Sequence, residues 1–356
     1  MNKIAVLGLG KVGTLVALLL HEHFDVVGYD MSKPHYDIKY PFSHHIADIS
    51  NKENIKDIAE NTDAIVSALP YYLNRSIATI AHQKGIHYFD LTEDVSTTKY
   101  IESLGKSATS VLAPQCGLAP GLIGIVGGYL TSKFDTLRDI ELRVGALPRY
   151  PNGQLSYSFT WSPAGVLNEY LNDAEAIQNG KRKMLPSLDG FEHMNIEGRE
   201  YEAFTTSGGL GTMCVTYEGK VDTLNYKTIR YPGHGKLMRF LMYELILKKD
   251  LSKLEQILTN AKPPVDEDLV HVYAVVEGFI KGRVKRKEFF RTYLPKKIAN
   301  HTWRAISWTT AASLAAVIEL VAQGKLPQKG FIKQEEISIT DFFDTKNGKL
   351  FETPPE

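Results

Sequence analysis

Cysteine is nearly absent: Cys116 and Cys214 are the only two in 356 residues. A disulfide framework and a Cys-x-x-Cys metal site are therefore excluded. The sequence also lacks an excess of either charge, with 41 basic residues against 41 acidic ones. Nucleic acids and membrane surfaces are usually met with clustered positive charge, so neither partner is expected. The one basic run, Lys281 to Lys287, alternates with other residue types and reads as the solvated face of a hairpin. No apolar stretch outruns a core element, and Met1-Asn2-Lys3 leads straight into an apolar strand. Neither a signal peptide nor a transmembrane helix is expected, and the chain reads as cytoplasmic. His21, His23, His44 and His45 lack ligand spacing and there is no His-Glu-x-x-His, so no metal is expected. Repeats and low-complexity segments are missing too; only Glu352 to Glu356 read as a tail.

What is present is ordinary globular material, 43% hydrophobic and 23% charged, in a length that suggests two domains. Residues 3–8 form an apolar run that ends in glycine and reads as a buried parallel strand. Val12, Val16, Leu19 and Leu20 follow at helical spacing, and residues 25–30 form a second strand ending in a carboxylate. Helices at 51–60, 74–84 and near 97–106 alternate with strands at 63–68, 86–91 and 109–113. That alternation predicts a Rossmann-type, doubly wound parallel sheet in an α/β fold.

The pattern changes after residue 114. A turn-rich crossing leads into an apolar helix at about 121–132, and residues 137–230 read mainly as strands and loops. Leu224, Tyr226, Thr228 and Arg230 recur with period two, and 269–278 with 284–293 read as a hairpin around Ile280-Lys281-Gly282. The second domain is predicted to be α+β with a mainly antiparallel sheet. Ala305 to Ala322 reads as an amphipathic helix containing Ala311, Leu314, Ala315, Ile318 and Val321.

The chemistry starts at Gly8-Leu9-Gly10-Lys11-Val12-Gly13, which follows a strand and opens a helix. Gly8 permits the tight turn, Gly10 lets backbone approach a pyrophosphate, and Gly13 lets the helix pack on the strand. Asp30, about twenty residues past the central glycine, is placed to accept both ribose hydroxyls. A bound dinucleotide is expected. A carboxylate repels the 2′-phosphate of NADP and no arginine follows, so NAD is favoured over NADP, although Lys33 is nearby; FAD has no further signature. Asp48 reads as an adenine neighbour, as the N-cap of the 51–60 helix or as a loop carboxylate. Ala68, Leu69 and Pro70 end a strand at the ligand edge, and Tyr71 and Tyr72 either cover that edge or touch ligand.

Asp90, Glu93 and Asp94 end the next strand at the same edge, as bases, amine binders or helix caps. Cys116 and Gly117 follow the last strand of the series, the thiol reading as reactive or as small packing. In the second domain Thr160-Trp161-Ser162 precedes a helix, and Arg230 is the cation best suited to a carboxylate. His234 reads as a proton shuttle or as a structural turn histidine.

With these residues the chain resembles the saccharopine dehydrogenase-like family, and within it the lysine 6-dehydrogenases. The resemblance runs from the glycine fingerprint and Ser67 to Tyr71 through Cys116 to Leu122 and Thr160 to Pro163. It continues through Glu169-Tyr170, residues 179–181, 202–204 and 209–213, to Thr228 to His234. It implies NAD-dependent oxidative deamination at an amino acid's side-chain amine, turning L-lysine into aminoadipate semialdehyde. It also implies a discontinuous dinucleotide domain (residues 1–120 with 303–356), a substrate domain (121–302), and self-association through the second domain's sheet. Glu93, Asp94 and His234 are the candidate bases, with Arg230 holding the α-carboxylate helped by Thr160 or Ser162. Tyr71 and Trp161 complete the expected substrate contacts. Two alternatives stay open: a saccharopine or carboxynorspermidine dehydrogenase-type NAD(P)H reductase, and a dinucleotide-binding sensor without turnover.

Overall fold

The computed structural model describes residues 1–34, 36 and 38–352; most of the tail, residues 353–356, lies outside them. The chain divides into two compact units, one of residues 1–125, 297–301 and 307–356, the other of 126–296 and 302–306.

The first unit is built on β1 (Lys3–Leu7), α1 (Gly13–Leu20), β2 (Asp25–Asp30), β3 (Ser43–Ile46), α2 (Lys52–Glu60) and β4 (Ala64–Ser67). It continues through α3 (Tyr71–Lys84), β5 (His87–Asp90), α4 (Val95–Gly105) and β6 (Val111–Ala113), after which α5 (Leu122–Thr131) leads on. Ile4, Val6, Ile65 and Phe89 are fully buried, as strands covered by helices on both faces require. Every pairing is parallel, and the register sets Leu7 beside Tyr29 and Ser67, and Ser67 beside Asp90. The carboxyl ends of β1, β2, β4 and β5 thus form one edge, with the strand order reversing between β1 and β4. In such sheets ligands bind at that reversal.

The second unit holds β7 (Thr136–Pro148), α6 (Pro163–Leu171), β8 (Ala174–Gln178), β9 (Lys181–Leu185), β10 (Glu192–Ile196) and β11 (Arg199–Thr205). Then come α7 (Met213–Tyr217), β12 (Thr223–Arg230), α8 (His234–Arg239), α9 (Leu251–Ala261), β13 (Asp268–Ile280) and β14 (Arg283–Tyr293). The sheet order is β10-β11-β12-β7-β13-β14, and β12 pairs with β7 in parallel inside an otherwise antiparallel sheet. Leu224, Tyr226, Thr228 and Arg230 are buried as their period predicts. The β13–β14 turn uses Lys281 and Gly282 at φ of 50° and 70°, the doubly left-handed pair that a tight hairpin needs. The basic residues after that turn lie exposed on β14.

A small hairpin, β15 (Lys296–Ile298) with β16 (His301–Trp303), precedes α10 (Ala305–Ala322), β17 (Gly330–Phe331) and α11 (Ile339–Asp344). β17 pairs with β6, adding the C-terminal segment to the first unit's sheet. The sequence reading of α10 as amphipathic needs correcting: residues 311–321 are buried on every side. Small residues (Ala311, Ala312, Ser313, Ala315, Ala316) let neighbours close in all round. Its inward carboxylate, Glu319, accepts from the backbone and side-chain amides of Asn347, so it is not left unsatisfied. By length and composition α10 is apolar enough to cross a membrane, but 83% of it is buried within the chain.

Candidate functional site

At the edge of the first unit β1 runs into a turn whose glycines have separate reasons. Gly8 sits at φ +91°, and its amide donates to Tyr29 O at 2.8 Å. A Cβ on Gly8 would lie 2.9 Å from Ala68 O, and one on Gly13 would overlap the carbonyl of Gly8. A Cβ on Gly10 would meet nothing within 4 Å, so here the backbone borders open space. Lys11 and Val12 complete the turn, and the N-terminus of α1 has no side-chain cap. Uncapped amides beside open space suit the diphosphate of a dinucleotide. Asp30 ends β2; its carboxylate accepts from Leu9 N at 2.7 Å, Ser32 N at 2.9 Å and Ser32 Oγ at 3.1 Å.

Asp48 does not cap α2. Asn51, the residue next to the helix, does so through Glu53 N, while Asp48 accepts from Ser50 N and Oγ one turn earlier. The Ser50 hydroxyl holds its carboxyl below the ordinary range. Ala68 N bonds Leu7 O at 2.9 Å, and Leu69 and Pro70 lead into α3 with Tyr71 as its first residue. Burial, then the charges of Asp94 and Glu93, raise the Tyr71 phenol, so the start of α3 and the segment after β5 face each other.

The three carboxylates after β5 separate. Asp90 is fully buried and accepts from Tyr88 Oη, Thr92 N and Gln115 N, which ties the end of β5 to the loop after β6. Burial pushes it up to about 6. Asp94 caps α4, accepting from Thr97 N at 2.7 Å and Ser96 Oγ at 3.0 Å. Burial, with the neighbouring Asp94 and Asp90 adding to it, pushes the Glu93 carboxyl up to about 7 against the pull of its own amide. A carboxyl poised near neutrality can take and release a proton.

Cys116 is packing. Its fully buried thiol donates to Ala113 O at 3.1 Å and accepts from Gln334 Nε2 at 3.3 Å, and burial drives its pKa well up. A low-pKa, exposed thiol would be needed for reactivity. Gly117 O accepts from Leu122 N, so that carbonyl closes the loop. Gln334 is 218 residues from Cys116 and carries no motif, so no sequence signal pointed to it.

In the second unit the residues centre on Arg230, which is 2% exposed. Its Nε donates to Tyr170 Oη at 2.9 Å, its Nη1 to Ile229 O at 2.8 Å, and its guanidinium lies 4.8 Å from the ring centre of Tyr157. His234 Nε2 lies 3.0 Å from the same Tyr170 Oη and Nδ1 lies 3.0 Å from Leu155 O. Burial, then Arg230, pull this histidine down to about 3. With both nitrogens engaged, it is wired into the Arg230 environment and is a poor proton shuttle at neutral pH. Ser162 Oγ accepts from Gly165 N at 3.1 Å and so caps α6. Trp161 packs on Gly165, and Thr160 Oγ1 is buried without a hydrogen-bond partner. No hydrogen bond joins Thr160 or Ser162 to Arg230 among the described residues. Tyr170, which accepts from Arg230, and Leu155, whose carbonyl faces His234, were missed as site residues because they lie 60 and 79 positions from those partners in sequence.

Two family models together match most of the chain. The family model of the saccharopine dehydrogenase NADP binding domain matches residues 4–115, and that of the saccharopine dehydrogenase C-terminal domain matches 117–347. The mitochondrial alpha-aminoadipic semialdehyde synthase of Bos taurus is 25% identical over 338 residues, 86% of this chain and 34% of that protein. The saccharopine dehydrogenase (NADP+, L-glutamate-forming) of Schizosaccharomyces pombe is 24% identical over 166 residues, 41% of this chain and 33% of that protein. In both cases the chain spans about a third of the relative's length. Among solved structures, apo saccharopine dehydrogenase (L-Glu forming) from Saccharomyces cerevisiae is similar in fold, with TM-score 0.75, 15% identity and 96% of each chain covered. C. glutamicum DAP dehydrogenase, in complex with DAP, covers 98% of each chain at TM-score 0.51 and 12% identity.

Proposed function

This chain belongs to the saccharopine dehydrogenase family, oxidoreductases acting on CH–NH donors, and we propose from that premise that it oxidises the side-chain amine of an amino acid. L-lysine is the substrate we put first, with aminoadipate semialdehyde as product. The observation that carries the reading is Glu93, a carboxyl near neutrality at the ligand edge of a dinucleotide-binding sheet.

A bound nicotinamide dinucleotide supplies the hydride acceptor. Glu93 takes a proton from the substrate ammonium and so frees the lone pair that forms the carbon–nitrogen double bond as the hydride leaves. Water then adds across that bond and ammonia departs. Arg230 is the group we assign to the α-carboxylate, through its planar fork of donors. Asp94 and Ser162 serve the helices they cap, and His234 supports Arg230.

For the cofactor we place NAD first, because the Asp30 carboxylate stands where a 2′-phosphate would add negative charge. The names of the matched N-terminal domain model and of the fission-yeast relative weigh for NADP. The ratio of kcat/KM for the two cofactors decides between them. Self-association through the second unit's sheet and a cytoplasmic location belong to the same proposal; light scattering tests the first.

A second substrate reading is favoured by the relative's name: oxidation of the secondary amine of saccharopine, in which lysine is joined to glutamate. Supplying each compound with either cofactor and identifying the products by mass spectrometry separates the two. Lysine turnover with ammonia release supports the first reading. Glutamate release from saccharopine, with lysine inert, replaces it with the second.

A further inference from the structure

We propose that Tyr170 and His234 are positioning residues: a one-way hydrogen-bond relay fixes the guanidinium of Arg230 so that its remaining edge receives a substrate carboxylate. The inference rests on the reading of Arg230 as the carboxylate anchor.

The direction of every bond in the relay follows from donor chemistry. A guanidinium has donors and no acceptor, so Arg230 Nε donates to Tyr170 Oη at 2.9 Å. The phenol's single proton must then go elsewhere, and His234 Nε2 stands 3.0 Å away. That nitrogen accepts, so the ring proton lies on Nδ1, which faces a group able only to accept, Leu155 O at 3.0 Å. Each proton has one place. A doubly protonated ring would leave the Tyr170 hydroxyl without an acceptor, and burial together with Arg230 keeps the ring neutral.

The relay is itself held. Glu202 accepts from Gly233 N at 2.8 Å and Gly235 N at 2.7 Å, clamping the amides on either side of His234. Gly233, between Arg230 at the end of β12 and His234 at the start of α8, takes φ +94°, a left-handed turn that glycine permits. The Arg230 guanidinium lies over the Tyr157 ring at 4.8 Å, and the His234 ring lies tilted against Tyr157 at 4.9 Å between ring centres. Nε and one Nη1 hydrogen are occupied by Tyr170 and Ile229 O, which leaves Nη2 and the second Nη1 hydrogen. That end of the guanidinium suits the two oxygens of one carboxylate.

The test uses the full chain with lysine as substrate and cadaverine, its decarboxylated diamine, as competitor. Tyr170→Phe is expected to raise KM for lysine about tenfold, with kcat changed less than about twofold, as loss of one aligned hydrogen bond would do. The inhibition constant of cadaverine, which has no carboxylate, is expected to stay the same. His234→Leu behaves like Tyr170→Phe, whereas His234→Gln, which keeps an acceptor near the Nε2 position, restores most of the lysine KM. Should Tyr170→Phe fail to fold, the two His234 variants carry the same comparison. An unchanged lysine KM in Tyr170→Phe and His234→Leu, with Arg230→Ala still raising it, overturns the relay alone. An unchanged KM in Arg230→Ala overturns the anchor reading and the relay with it. Equal losses for lysine and cadaverine reduce Tyr170 and His234 to structural roles.

Discussion

The amide of Leu9 donates to the carboxylate of Asp30 at 2.7 Å, so the acidic residue that ends β2 also holds the glycine turn that follows β1. One side chain thus shapes the phosphate turn and sets the charge where the adenosine ribose of a dinucleotide binds in this fold. Asp30→Asn keeps an acceptor for Leu9 and removes the charge. The ratio of kcat/KM for NAD over NADP is expected to fall about tenfold, equivalent to roughly 1.4 kcal/mol. A ratio that does not move removes Asp30 from cofactor choice.

Two alanine substitutions in the same turn should fail differently. On Gly13 the new methyl overlaps the carbonyl of Gly8, so Gly13→Ala is expected to cost about 1–3 kcal/mol and lower Tm. On Gly10 it enters open space, so Gly10→Ala should leave Tm of the protein alone nearly unchanged. Its dinucleotide Kd should nevertheless rise at least about tenfold, because the methyl occupies the approach to the backbone. Thermal melts with and without NAD, with calorimetric titration, separate the two effects.

Glu93 gives a pH dependence with a definite sign. Burial, with Asp94 and Asp90 nearby, holds its carboxyl near 7, so the proton-accepting form grows as pH rises through that value. For amine oxidation kcat/KM should therefore fall on the acid side of about pH 7. Glu93→Gln should remove that limb and lower kcat by about a hundredfold or more. A limb that survives in Glu93→Gln assigns the base elsewhere.

How far the sequence reached can be seen at these residues. The glycine turn, Asp30 and the strand ends were legible because each rests on local spacing that one strand, turn or helix imposes. The roles of the polar residues beside them were less so, since a carboxylate or hydroxyl before a helix reads the same whether it caps or catalyses. Asp94 and Ser162 prove to be caps, and Asn51 rather than Asp48 starts α2. α10 was misread for a different reason: its apolar stripe is real, but small side chains elsewhere on the helix admit neighbours that a pattern does not show. The parallel β7–β12 pair and the bonds from Arg230 to Tyr170 and from Glu202 to Gly233 join residues 30 to more than 80 positions apart. Periodicity carries no information about such pairs.

Arg230 supplies a check on substrate binding that is independent of the chemistry. Arg230→Ala should raise the amino-acid KM by about a hundredfold, as loss of a charge-assisted pair implies. Dinucleotide Kd should be unchanged, which also shows that the variant is folded. Arg230→Lys should recover only part of the loss, because a point charge cannot reproduce a planar fork.

The proposed activity is oxidation of a side-chain amine with a nicotinamide dinucleotide. It is tested most directly by following reduced cofactor while a panel of ω-amino acids, lysine and saccharopine among them, is supplied at mildly alkaline pH. The expected result is reduced cofactor with lysine or its conjugate, lost in Glu93→Gln although the dinucleotide still binds. Tight dinucleotide binding with no reduced cofactor from any amine would contradict it and leave the chain as a sensor of the dinucleotide.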